Sequence, residues 1–357
     1  MKGQSQFPGE QAVTFNPIII EGGRQQIGLE LGKLARAIMP AYLDQSSTWA
    51  ALRPWRGHAF LGALGEAAQA ALPQIWRELE GLAEGLRMPL EDVLLWNCRG
   101  DLLRKSSDGC TSLAWRGADG ARWMAHNEDG DPYLRGRCRI VDIRPEGAPG
   151  FVSFYYPGSL PGHTFAGNRA GLAQTINNVR ARQRQAGVPR MLLARAVLDC
   201  ASLDQALDLL RDLPRAGGFH HMLGSARDRR LFSVEASPTQ CAIQEISKGY
   251  AHANHLLHPD SPPQVITDSS AARQRRAEQL MDAWTGSAGG GDLVTALLDA
   301  GGELPILRTD PQDPDEENTL ATALFELRDG RLSLRVYDRR PQAVLKLDIR
   351  GGDQAGP

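Results

Sequence analysis

Gly109-Cys110-Thr111-Ser112 places a thiol directly after the one residue type without a side chain. The chain changes character at this point, with helical periodicity before Cys110 and short strands with tight turns after it. A Gly-Cys peptide at such a junction is a candidate self-cleavage site. Cutting it would give Cys110 a free α-amino group, and a thiol beside its own amine is a nucleophile with a built-in base. The absent side chain at Gly109 leaves an accessible carbonyl and a backbone able to take strain. The other four cysteines, Cys98, Cys138, Cys200 and Cys241, sit among apolar neighbours and read as small core hydrophobes.

Two other groups of residues could bind metal, and neither spacing supports it. The run Asn127-Glu128-Asp129-Gly130-Asp131 looks like the start of a calcium loop but lacks the bidentate acid at its twelfth position. His252, His255 and His258 have a helical i, i+3 spacing, yet the local pattern is strand followed by loop. These three are therefore expected not to converge, and no metal site is expected among them or at His220 and His221. A thiol-protease arrangement, with Cys110 uncut and a distant histidine as base, has no local signature.

The elements that must position Cys110 follow from periodicity. Ile27, Leu31, Leu34 and Ile38 form one stripe of a helix after Gly22-Gly23, and Ile75, Leu79, Leu82 and Leu86 form another after Pro73. Leu90, Val93, Leu94 and Leu102 predict a third helix, running into a linker at 104–107. After Cys110 the period becomes two. CTSLAWR and ARWMAHN flank Asp119-Gly120 as a hairpin, and RCRIVDIRP and FVSFYYPG continue as strands. Two helices fall between Val188 and Leu213, the second capped by Ser202, before strands return at HHMLGSA and LFSVEAS. A helical block over Ser269–Ala300 precedes another Asp-Gly hairpin, ALFELRDGRLSLRVYD. Loops are expected at 285–291 and 311–314, and a disordered tail at 351–357. The pattern predicts an α+β fold with two antiparallel sheets between helical layers.

Bulk properties exclude several function classes. Forty basic and 42 acidic residues leave a net charge of −2, and no basic stripe supports nucleic-acid binding. No apolar run reaches the ~18 residues of a membrane span, and no secretory h-region is seen. Phosphate-cradling glycine motifs are missing, so nucleotide-binding folds are disfavoured and no cofactor is expected. Five scattered cysteines without a CxxC pair predict reduced thiols and a cytoplasmic location.

Several motifs in a fixed order resemble the acyl-CoA:isopenicillin N (6-aminopenicillanate) acyltransferase family, the C45 peptidases. They are Cys110-Thr111-Ser112, Asn127-Glu128-Asp129, Ala166–Leu172, Thr175-Ile176-Asn177-Asn178, Gly187–Arg190, Glu235–Pro238 and His252–His255. The likeness spans roughly residues 20–349. It implies the N-terminal-nucleophile (Ntn) hydrolase fold, a four-layer αββα sandwich. It also implies autocleavage into a helical segment 1–109 and a catalytic segment 110–357 that stay associated as one globular unit. By resemblance, Asp129 orients the nucleophile's amine, Asn254 donates its side-chain amide to the oxyanion, and Thr175 and Asn177 line the substrate site. Thr319 stands where some relatives carry an arginine that balances charge near the nucleophile. Arg273 and Arg276 match basic positions in relatives, although on a helix they read equally as a solvated face.

The activity implied is cleavage of a small N-acyl or aminoacyl amide through a Cys110 thioester. CoA-dependent N-acyl transfer is the alternative within the family, and an unprocessed small-ligand-binding protein the alternative outside it. A thioester is intrinsically open to water, which favours hydrolysis unless an amine is held in place.

Overall fold

The computed structural model describes residues 13, 15–103, 108–284, 287–309 and 315–350. The linker 104–107, the loop 311–314 and the tail 351–357 lie outside the described residues. Among the described residues, seven α-helices precede Cys110: α1 (Arg24–Ala35), α2 (Met39–Gln45), α3 (Ser47–Leu52), α4 (Ala59–Ala71), α5 (Pro73–Leu86), α6 (Leu90–Asn97) and α7 (Arg99–Leu102). Four follow it: α8 (Arg190–Val197), α9 (Leu203–Asp212), α10 (Asp268–Asp282) and α11 (Gly290–Leu297).

Strands β1 (Ile18–Gly22), β4 (Arg139–Pro145), β5 (Phe151–Tyr155), β6 (Phe165–Asn168), β7 (Leu172–Asn178), β8 (Phe219–Ser225), β9 (Asp228–Ala236) and β10 (Cys241–Glu245) form one sheet in that order. The other sheet runs β11 (Gly249–His252), β2 (Asp108–Arg116), β3 (Arg122–Gly130), β12 (Asn318–Arg328), β13 (Arg331–Tyr337) and β14 (Ala343–Ile349). The sheets face each other, with α1, α5, α8 and α9 over the first and α10 and α11 over the second. This is an αββα sandwich of the α+β class.

Local chemistry explains most boundaries. Ile27 and Leu31 of α1 and Leu79 and Leu82 of α5 are fully buried, as their periodicity requires. Pro73 opens α5, and the Ser202 hydroxyl caps α9 by accepting from the Gln205 amide at 3.2 Å. The β12–β13 turn puts Asp329 and Gly330 at φ 49° and 79°, the left-handed pair that a two-residue hairpin demands.

Three expectations are corrected. The first 109 residues are not all helical, because Ile18–Gly22 forms β1 and β2 already begins at Asp108. Three consecutive isoleucines favour a strand, and β1 pairs parallel with β4, so the first sheet is mixed rather than purely antiparallel. The third predicted helix is two, broken at Cys98 where φ −103° and ψ 9° leave the helical region.

The two halves are tied together across Cys110. Fully buried Glu78 of α5 accepts from Arg195 of α8 at 2.7 and 2.9 Å and from Arg24 at 2.7 Å. Glycines let α1 and α5 touch backbone to backbone: a Cβ on Gly28 would lie 2.0 Å from the Glu78 carbonyl oxygen, and one on Gly81 would lie 2.0 Å from that of Gln25. Among the described residues no helix is long and apolar enough to cross a membrane.

Candidate active site

Cys110 lies on β2, one strand in from the sheet edge, and is 3% exposed. Strand alternation puts Cys110 and Ser112 on one face and Gly109 and Thr111 on the other. The Ser112 hydroxyl meets Thr175 Oγ1 at 3.0 Å and Asn177 Oδ1 at 2.7 Å on β7, so the cysteine face looks into the space between the sheets.

The peptide groups of Cys110 are gripped from both sides. Its amide donates to Asn254 Oδ1 at 3.0 Å, and its carbonyl accepts from Arg273 Nη1 at 2.5 Å. Asn254 follows β11, whose pairing brings His252 opposite Ser112, so two further residues bring Asn254 alongside Cys110. Arg273, from α10, also donates to Thr111 Oγ1 at 2.9 Å and to Asn254 Oδ1 at 2.6 Å. It is 1% exposed and belongs to the site, whereas Arg276 pairs with Asp299 at the surface. Burial pushes the Cys110 thiol well above its usual range, with an opposing hydrogen bond from the Asn178 backbone. In the uncut chain the sulfur is a protonated, weak nucleophile.

Asn254 does not present its amide N–H freely. Nδ2 donates to the Asn178 carbonyl at 3.0 Å, and Oδ1 faces Cys110 and Arg273. Asp129 pairs across the ladder with Gly109 rather than Cys110. Its Oδ1 accepts from the Thr319 hydroxyl at 2.6 Å, and Oδ2 lies 3.9 Å from Arg308 Nη1. Thus the uncut Cys110 amide is directed to Asn254, and Asp129 sits on the opposite face of the sheet, beside Gly109. Thr319 is an Asp129 ligand, and the positive charge comes from Arg308 instead, which also pairs with Glu317.

Gly109 has a structural reason different from strain. Its φ is not among the positive ones, but a Cβ there would lie 2.0 Å from Glu317 Oε2 and 2.6 Å from Arg308 Nη1. The Arg308–Glu317 pair fills the volume a side chain would need. Burial outweighs Arg308 and pushes the Glu317 carboxyl up to about 8.

Thr175 and Asn177 are fully buried. Asn177 joins Ser112 to the histidines, accepting at Oδ1 from His220 Nδ1 (3.0 Å) and donating through Nδ2 to the His252 carbonyl (3.1 Å). His252 and His258 do come together, with His220, while His255 turns to the Ser270 hydroxyl. The His220 and His252 rings stack 3.5 Å apart, 5° from parallel. Ser233 bridges His220 and His258 at 3.0 and 3.1 Å, and Glu235 accepts from His252 at 3.0 Å. Facing strands β8 and β11, rather than one helix, bring His220 and His252 together, and both ring nitrogens of each meet protein groups. Cys98, Cys138, Cys200 and Cys241 are free thiols.

Arg308 and Glu317 carried no sequence signal, since both fall in irregular chain before β12. His126 and Glu128 were also unassigned. They extend from β3 on the cysteine face, and one ring nitrogen of His126, one carboxyl oxygen of Glu128 and the Cys110 sulfur lie within 4.8 Å of one another. Hydrogen bonds within the protein account for both nitrogens of His126 and both oxygens of Glu128, so the trio reads as a hydrogen-bond network.

An αββα sandwich that buries a cysteine on a central strand, its peptide clasped by asparagine and arginine, defines an acyl-transferring enzyme of the Ntn type. The chain belongs to the acyl-coenzyme A:6-aminopenicillanic acid acyl-transferase family, whose model matches residues 115–341. It is similar to the β-alanyl-dopamine/carcinine hydrolase of Drosophila melanogaster, with 23% identity over 369 residues, covering 92% of this chain and 94% of the relative. Among solved structures, a variant of conjugated bile acid hydrolase from Clostridium perfringens aligns with a TM-score of 0.48 and 13% identity, over 69% of this chain and 94% of that one.

Proposed function

We propose that the chain cuts itself between Gly109 and Cys110, and that the freed N-terminal cysteine hydrolyses a small N-acyl or aminoacyl amide. The observation that carries this reading is the grip on Cys110, whose N–H is held by Asn254 and whose C=O is held by Arg273. After the cut the amine, with an ordinary pKa near ~8, serves as base for the thiol. Asp129, already beside residue 109, orients that amine. Asn254 turns its amide toward the oxyanion once the Asn178 carbonyl is released, and Thr175 and Asn177 set the polar end of the substrate site. Segments 1–109 and 110–357 stay together through the β1–β4 ladder and the Glu78–Arg195 pair. A reducing, cytoplasmic location is supported by five cysteines that form no disulfide.

The substrate class follows the relative named for β-alanyl-dopamine and carcinine, while the family's own description carries the alternative of acyl transfer from CoA. Steady-state assays on β-alanyl amines, N-acyl amino acids, and acyl-CoA with amine acceptors separate the two. Amide hydrolysis without CoA is expected. Turnover only with acyl-CoA plus an amine acceptor would overturn the hydrolase reading.

A further inference from the structure

Before the cut, the amine that later serves as base is locked in a peptide bond, so the buried thiol of Cys110 needs another proton acceptor. The hydrogen bonds around it locate one by proton counting. Asn177 Nδ2 donates to the His252 carbonyl, which fixes Oδ1 as an acceptor. Ser112 Oγ, 2.7 Å from that Oδ1, must place its single proton there. The 2.9 Å bond between Ser112 Oγ and His126 Nδ1 then carries the histidine's proton. A neutral His126 therefore has a bare Nε2, and this atom lies 2.9 Å from Glu128 Oε2. One proton must sit between them. Tyr156 donates to Glu128 Oε1 at 2.7 Å and holds the carboxyl in place.

We propose that Glu128 and His126 form the proton relay that activates Cys110 in the uncut chain. The proposal rests on Cys110 being the nucleophile, and assigns a step that precedes its N-terminal form. The thiol passes its proton to Glu128 as Glu128 passes its own to His126 Nε2, leaving a thiolate beside a protonated pair. The sulfur attacks the Gly109 carbonyl carbon, forming the C–S bond and sending the π pair to oxygen. As the oxyanion collapses, the C–N bond breaks and the relay returns the proton to the Cys110 nitrogen. Water then attacks the thioester carbon, the C–S bond breaks and sulfur regains a proton, leaving a Gly109 carboxyl and a Cys110 amine. Burial pushes His126 down to about 3, which keeps it neutral at rest and makes its protonated form a short-lived one that hands the proton back. The titratable groups around the pair are Cys110 on β2, Cys138 before β4, Tyr156 after β5 and His220 on β8, with Asp129 across the sheet.

The test follows cutting of the full chain after pulse-labelled cell-free synthesis, from pH 6 to pH 9. Wild type is expected to cut with a shallow pH dependence. Glu128→Gln and His126→Gln should be slowed about 100-fold at pH 7, with a rate that rises tenfold per pH unit because hydroxide must replace the relay. Recovery at high pH separates lost proton transfer from lost structure. If Glu128→Gln does not fold, Glu128→Asp should cut at an intermediate rate with the shallow profile retained. A Glu128→Gln chain that cuts at the wild-type rate overturns the relay, and so does one that is slow at every pH. A wild-type chain that never cuts overturns instead the reading of Cys110 on which the relay rests.

Discussion

Replacing Asn254 by alanine removes three hydrogen bonds at once: 3.0 Å from the Cys110 amide, 2.6 Å from Arg273 and 3.0 Å to the Asn178 carbonyl. All three partners are buried, at 3%, 1% and 2% exposure, so none regains water freely. An orphaned backbone group costs about 1–2 kcal/mol and a charged donor about 2–3 kcal/mol. The gross loss is therefore about 4–7 kcal/mol by that accounting, reduced to about 3–6 kcal/mol if a water enters the vacated space. Against a typical total of about 5–15 kcal/mol the fold survives, markedly weakened. Urea unfolding should be measured in a Cys110→Ala background, which keeps both proteins uncut. Asn254→Asp, which retains the acceptor oxygen, should lose only about 1–2 kcal/mol. In the active enzyme Asn254→Ala should also lower turnover by about 10²–10³-fold. A stability loss under about 1 kcal/mol would refute the claim that Asn254 clamps the cut-site strand.

Two further predictions concern the opposite face of the sheet. Gly109→Ala should slow cutting by about tenfold or more, since its methyl group would displace the buried Arg308–Glu317 pair at a cost of about 1–3 kcal/mol; intact mass against time reads the effect, and wild-type kinetics would contradict it. Glu317 holds its proton up to about 8 when folded but releases it near 4.5 when unfolded. Between those values the folded state binds more protons, so stability should fall as pH rises through the window. Glu317→Gln should flatten that slope in melting curves taken from pH 5 to pH 8, and an unchanged slope would locate the pH dependence elsewhere.

The peripheral frame was legible in the sequence because it obeys simple periodicity. The Ile27–Leu31 and Ile75–Leu86 stripes, the Ser202 cap and both Asp-Gly hairpins appear where expected. The site is where those rules break. Strand β7 buries Gln174, Thr175, Asn177 and Asn178, so it shows no apolar alternation and entered only as a motif, not as a strand. Helix α10 is rich in arginine and reads as a solvated face, yet Arg273 is buried because the Cys110 carbonyl, Thr111 and Asn254 satisfy its guanidinium. Arg308 and Glu317 reach Gly109 from irregular chain, where no spacing rule applies. Convergence of His220 with His252 depends on which strands face each other across the sandwich, and this was not readable from the local i, i+3 pattern.

Sequencing the N-termini of the purified, active protein tests whether Cys110 becomes an N-terminal nucleophile. A second N-terminus reading Cys110-Thr111-Ser112 is expected in the wild type, and a single uncut, inactive chain for Cys110→Ala. A wild-type protein that hydrolyses amides at full rate as one intact chain would contradict it.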